Sequence, residues 1–196
     1  FLFEYLFSIQ KQALRHVKSV QRYELSQYLQ MNHYAKVQLE LTRSLRTQKR
    51  KGSLLWLIDR TKTAMGGRLL HQWLEKPLLR MEPLVQRHQK VEQLMNHYFE
   101  RVDLMTHLGK IYDLERLVTK ISLGTANARD VDQLRYSLSQ IPLINQLLAQ
   151  INQELNGISV EVFDLLPTFA DLYQHIEEIL VDEPPISITE GNIIRT

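Results

Sequence analysis

Cysteine is absent, which excludes disulfides and thiolate metal sites and is compatible with a reducing compartment. No apolar run approaches the roughly 20 residues that a helix needs to cross a bilayer, so no membrane partner is expected. The apolar opening Phe1-Leu2-Phe3-Glu4-Tyr5-Leu6-Phe7 is interrupted by Glu4 and has neither a basic leader nor a cleavage pattern, which argues against secretion. A strong charge of one sign is missing too: the net charge is +2, whereas tight phosphate binding needs Lys and Arg gathered on one surface. Tandem repeats and low-complexity tracts are also lacking. What remains, 196 residues of which 44% are hydrophobic, suffices to bury a substantial core in one or two domains.

The chain is rich in helix starts, helix stops and apolar residues at helical spacing. Phe1 to Leu14 fits a helix, and Val17 to Met31 carries short alternating stretches that suit brief strands. Thr63 caps a helix whose apolar positions are Met65, Leu69, Leu70, Trp73 and Leu74, and Pro77 ends it by forcing Lys76 out of the helical region. From Pro83 to Gly109, the residues Leu84, His88, Val91, Met95, Tyr98, Val102 and Met105 advance by alternating steps of four and three. That stripe predicts one helix or a pair, long enough to connect distant parts of a larger molecule. Asp113 and Gly124 bracket another helix, with Leu114, Leu117, Val118 and Ile121 on one face. Asn127 and Asp130 start the next, with Val131, Leu134, Leu138 and Ile141 on its apolar face and Pro142 as a break or kink. A final helix follows Pro167, and Ile186, Ile188 and Ile193-Ile194 around Glu190-Gly191-Asn192 predict a short hairpin. The sum is a mainly α chain: a multi-helix bundle with long lever-like helices and short peripheral β-strands.

Reacting groups are harder to find. Met65-Gly66-Gly67-Arg68 lacks the GxxxxGK[ST] spacing of a phosphate-cradling loop, so its glycines are read as permitting close approach to another backbone. The seven histidines, at 16, 33, 71, 88, 97, 107 and 175, include no pair at zinc-ligand spacing. Asp113 and Glu115, two residues apart, point about 200° apart on a helix and do not face one bond; capping and surface ion pairing suit them better than acid–base chemistry. No serine or threonine has an identifiable base and orienter. The basic run Arg43, Arg46, Lys49, Arg50 and Lys51 is the best electrostatic candidate, with Lys49, Arg50 and Lys51 as DNA-phosphate contacts and a solvated basic loop as the plainer reading. Catalytic, cofactor and metal residues are therefore none. Trp56, Met65, Gly66, Trp73, Pro77, Leu114 and Leu117 are the expected framework, and Arg68, Asp113, Glu115 and Arg116 the expected polar locks. If Trp73 is buried, its truncation costs about 3–5 kcal/mol.

The string Leu54 to Leu79, LLWLIDRTKTAMGGRLLHQWLEKPLL, resembles the start of the core, or lever, domain of the MutS family of bacterial DNA mismatch-repair ATPases. Tyr112-Asp113-Leu114-Glu115-Arg116-Leu117, Ala126-Asn127-Ala128-Arg129-Asp130, Ile141-Pro142, Pro184-Pro185 and Glu190-Gly191-Asn192-Ile193-Ile194-Arg195 follow in that family's order. The stretch Met31 to Leu41 departs from it: Asn32, Ala35, Val37 and Gln38 stand where the family usually shows Asp, Ser or Thr, Arg and Asn, which predicts a looser helix start. The resemblance implies an excised part of a discontinuous core domain. Residues 1–50 would be an opening helix and mixed α/β region, 51–182 the helical core, and 183–196 a hairpin leading towards a missing clamp. It further implies connector and mismatch-reading domains before this region, with clamp and ATPase domains after it. The fragment is then no enzyme: ATP and Mg belong to the parent, which would be a cytoplasmic homodimer that binds DNA and a MutL-type partner. The function implied is a lever that couples mismatched-DNA binding to ATP binding and hydrolysis; the alternative is a helical protein-interaction module of a repair complex.

Overall fold

The computed structural model describes residues 27–153, 162–185 and 191–195. The helix expected over Phe1 to Leu14, most of the mixed region after it and residues 186–190 of the expected hairpin lie outside them. Among the described residues eight helices follow in order: α1 (His33–Gln38), α2 (Leu54–Ile58), α3 (Ala64–Glu75), α4 (Met81–Asn96), α5 (Tyr98–Leu108), α6 (Leu114–Ser122), α7 (Ala128–Gln153) and α8 (Ala170–Ile179). The chain is thus mainly helical, and extended pairing among the described residues is limited to two isolated antiparallel bridges, Tyr28 with Leu78 and Leu180 with Ile194. Ile194 therefore returns against the end of α8.

Most helix starts are set by local hydrogen bonds. The Asn32 carboxamide accepts from the Ala35 amide at 2.7 Å, so asparagine does cap α1 at the position where the likeness weakens. Ser53 caps α2, Thr63 caps α3 and Asp113 caps α6. At α7 the exchange is reciprocal: Asn127 Oδ1 accepts from the Asp130 amide at 2.8 Å and Asp130 Oδ2 accepts from the Asn127 amide at 3.0 Å, satisfying donors that a bare helix end leaves open. Gly124, at φ +68° after α6, occupies the left-handed region that a side chain disfavours.

The stripe from Leu84 to Met105 resolves into two helices, not one. His97, at φ −107° and ψ 72°, separates α4 from α5, and its buried ring sits 2.8 Å from the Gln93 carbonyl through Nδ1. Pro142 has the opposite outcome, because α7 runs unbroken through it for 26 residues, about 39 Å at 1.5 Å per residue. Proline forfeits one backbone donor, yet apolar packing on both sides holds the helix together. Before it, Leu134, Leu138 and Ile141 pack with Leu117 of α6 and with Ile176 and Leu180 at α8. After it, Ile144 and Leu148 pack with Leu104 of α5, flanked by Leu94, Leu108 and Phe163. Helix α7 is the common wall of both clusters, and α1 and α3 contribute no fully buried residue.

Candidate functional site

A four-bond polar constellation joins the second turn of α3 to the start of α6. Thr63 ends the preceding loop by accepting from the Gly66 amide at 2.9 Å, which sets the start of α3 and places Arg68 within its second turn. Asp113 caps α6 by accepting from the Arg116 amide at 3.3 Å, and Glu115 follows within the first turn. Arg68 reaches across: Nη1 and Nη2 donate to the two Asp113 oxygens at 2.8 and 2.7 Å, while Nε and Nη2 donate to Glu115 Oε2 at 3.0 and 2.6 Å. A planar guanidinium fits this two-carboxylate fork where an ammonium does not. The Arg68 hydrogen bonds hold the Asp113 carboxyl below its ordinary value, against the upward push of desolvation. Arg68 is correspondingly raised, first by its hydrogen bonds to Asp113 and then by those to Glu115.

A second constellation lies beside it. Asp59 accepts from the Thr61 amide at 2.9 Å and hydroxyl at 2.7 Å, and it also pairs with Arg50. The Thr61 hydrogen bonds are the largest cause of the lowered Asp59 pKa. A Cβ on Gly66 would meet Thr63 Oγ1 at 3.0 Å, and one on Gly67 would meet Thr61 Oγ1 at 3.4 Å. The close approach expected of these glycines is thus to threonine side chains of the preceding loop and not to another helix backbone. An open cleft of about 920 Å³ runs between this loop and the basic segment, lined among others by Arg43, Lys49, Arg50, Asp59, Arg68 and His71.

Of the other residues singled out above, Leu117 is buried and Leu114 packs against it, whereas Met65 and Pro77 are half-buried. Arg116 lends its amide to the Asp113 cap. Lys49 and Lys51 are exposed and make no ion pair among the described residues, while Arg50 is committed to Asp59. Trp56 and Trp73 are 47% and 39% exposed, so neither fills a core cavity in this chain. Trp73 instead carries the Arg87 guanidinium 3.7 Å from its ring centroid, and burial there pushes Arg87 below its ordinary value. Trp73→Ala is therefore expected to cost about 1–2 kcal/mol, of the size of a partly desolvated cation–π contact, and not a buried-cavity penalty. A thermal-unfolding cycle with Arg87→Ala measures this; additive losses in the double variant would show that the stack contributes nothing.

Two polar ties went unread in the sequence. Asn145 exchanges hydrogen bonds with the backbone of Leu166 at 2.7 and 2.8 Å, and Asn152 does the same with Phe163 at 2.8 and 3.0 Å. The two asparagines are seven residues apart on α7, so they lie on one face two turns apart; that spacing was the available signal. Arg135 was missed as well: it joins Asp132 on its own helix to Glu177 on α8, a tie that only the packing reveals.

No arrangement among these residues presents a nucleophile with its base. Groups of three or more His, Asp or Glu that could hold a metal ion are absent among the described residues, and the Met65-Gly66-Gly67-Arg68 turn offers neither the spacing nor the lysine of a nucleotide loop. No helix among the described residues is long and apolar enough to cross a membrane.

Comparison with known proteins adds a family to this geometry. The profile of MutS domain III matches residues 35–196. The DNA mismatch repair protein MutS of Bacillus velezensis and that of Bacillus subtilis strain 168 are each 45% identical to the chain over 194 residues, 99% of this chain and 22% of the relative. The MutS of Staphylococcus saprophyticus is 43% identical over 195 residues, again 22% of its own length. The chain thus spans about a fifth of each of these relatives.

Proposed function

Because the chain belongs to the MutS domain III family, we propose that it serves a mismatch-repair protein as a non-catalytic helical lever, coupling mismatched-DNA binding to ATP binding and hydrolysis. Coupling requires an element that moves as a body and whose arrangement two remote sites both bias. The observation that carries this reading is the Arg68 fork, which ties α3 to α6 across 45 residues of sequence without any reacting group beside it. Helix α7, packed along its length into two apolar clusters, supplies the stiffness. In this reading the connector, clamp and ATPase domains are partners within one longer chain, ATP and Mg act elsewhere in that chain, and DNA, a second copy and a MutL-type protein are partners of the whole. Its compartment is the cytoplasm.

The test is Arg68→Ala in the full-length protein, with Arg68→Lys beside it. Mismatch-stimulated nucleotide exchange is expected to fall roughly tenfold, the size of a typical coupling loss, with Arg68→Lys only partly restoring it and mismatch affinity retained. Full stimulation in the alanine variant would sink the lever reading. The exposed apolar side chains Trp56, Leu57, Leu69 and Phe99 favour a second reading, a helical interaction module; failure of the exchange test with intact assembly of the repair complex would select it.

A further inference from the structure

Charge is distributed very unevenly along the chain. Residues 42–62 hold seven cations, Arg43, Arg46, Lys49, Arg50, Lys51, Arg60 and Lys62, against the single carboxylate of Asp59. That segment is net +6 while the whole chain is only +2, so everything else is net −4. Among the described residues only Arg50 of the seven makes an ion pair, with Asp59. That pair also closes the segment on itself, joining the residues before α2 to those after it, and the Ser53 hydroxyl donates to the Arg50 carbonyl at 2.7 Å to fix the same turn. Between the two basic stretches sits α2, which buries only Leu55 and leaves Leu54, Trp56, Leu57 and Ile58 exposed, Leu57 at 61%; Leu45 is exposed in the basic loop itself.

We propose that residues 42–62 form a docking surface for an acidic, amphipathic peptide segment of a protein partner, with Arg43, Lys49 and Lys51 meeting its carboxylates and Trp56 and Leu57 meeting its apolar side chains. The combination selects the occupant. Unpaired cations attract any polyanion, but a phosphate backbone leaves the aliphatic side chains of Leu54, Leu57 and Ile58 in water, whereas a peptide carrying both acids and large apolar residues covers both. An aromatic anchor with basic residues on both sides of it in sequence matches the residue types that concentrate binding energy at protein interfaces. The cleft beside the loop, about 920 Å³ and open to solvent, is some 10 Å across as a cube, room for side chains of one segment and less than a duplex requires. The cleft borders the fork through Arg68, but the proposal uses neither Arg68 nor its carboxylates and does not rest on the lever reading.

The test uses the 196-residue chain carrying Trp73→Phe, so that Trp56 is its only tryptophan. The probe is a synthetic peptide of roughly four helical turns with Glu and Leu at amphipathic spacing; its Gln-for-Glu analogue and a short single-stranded oligonucleotide are the controls. Binding of the Glu peptide should shift Trp56 emission to the blue and weaken as salt rises. Affinity, read in every variant from the anisotropy of a dye-labelled peptide because W56A removes the tryptophan signal, should fall about tenfold or more both in R43Q/K49Q/K51Q and in W56A/L57A, substitutions at exposed positions whose helicity is checked by circular dichroism. The Gln peptide should bind at least about tenfold more weakly than the Glu peptide. Equal affinity for the oligonucleotide, or unchanged peptide affinity in W56A/L57A, would overturn the proposal in favour of plain polyanion attraction; absence of peptide binding would overturn it outright.

Discussion

Ile144→Ala is expected to lower the unfolding free energy of the chain by about 3–4 kcal/mol, within the range measured for isoleucine truncations in closed cores. Ile144 is 2% exposed and lies just past Pro142, where α7 meets Leu104 of α5 and Leu148 of its own next turn. Removing three carbons there empties a space that α5 cannot refill without leaving the Leu94, Leu108 and Ile111 side chains that flank the cluster. At two to four degrees per kcal/mol for a chain of this size, Tm should drop by roughly 10 °C. Leu143→Ala provides the control, since Leu143 is adjacent in sequence yet 42% exposed, and its loss should remain near or below about 1 kcal/mol. Equal shifts in the two variants would show that the second cluster is not a core.

Asp130→Ala has the next largest expected effect, because one carboxylate does two jobs. Its Oδ2 closes the cap of α7 by accepting from the Asn127 amide, and its Oδ1 accepts from Lys120 Nζ of α6 at 2.6 Å. The side chain is almost buried, at 9% exposure. Losing its half of the reciprocal cap costs about 1 kcal/mol and losing a charge-assisted, largely buried hydrogen bond about 1.5–2 kcal/mol more, so a total of about 2.5–3 kcal/mol is expected from denaturant unfolding. Asp130→Asn, which keeps an acceptor but not the charge, should fall between. A loss under half a kcal/mol would mean that neither the Asp130 half of the cap nor its pairing with Lys120 supports α7.

The same carboxylate predicts a pH dependence. Hydrogen bonding to Lys120, then to the Asn127 amide, holds its pKa below the ordinary 3.8 despite desolvation, and Asp113 and Asp59 are lowered in the same direction. A carboxyl that is more acidic folded than unfolded adds stability above its unfolded pKa and loses it as pH falls through the folded one. Stability should thus be flat near neutrality and fall below about pH 4, and the Asp130→Asn variant should lose less on acidification than the parent. Parallel acid limbs for the two proteins would show that Asp130 does not contribute.

Helix starts were legible because each is a local bargain between a short polar side chain and an amide two or three residues on: Thr63, Asp113 and Asn127 are named by that chemistry alone. The left-handed turn at Gly124 was legible for the same reason. The break at His97 was not, since no glycine or proline marks it and its cause is a ring buried against Gln93 in the finished packing. Pro142 misleads in the opposite sense; a missing donor looks decisive in a list of residues, but two apolar clusters outweigh it in the folded chain. Periodicity gathers Met65, Leu69, Leu70, Trp73 and Leu74 on one face of α3, but the helix buries no residue and Leu69 is exposed, which is why Trp73 reads as core and stands half in solvent. The partners of Arg68, and Glu177 as a partner of Arg135, are distant in sequence, so no spacing rule reaches them.

The planar fork of Arg68 imposes a directional constraint. Advancing α3 by a single residue against α6 would swing the guanidinium about 100° around the helix axis, away from Asp113 and Glu115 together. Bending of the pair asks for far less. The joint should consequently resist twist more than flexure, transmitting rotation of one helix to the other while absorbing small changes in the angle between them.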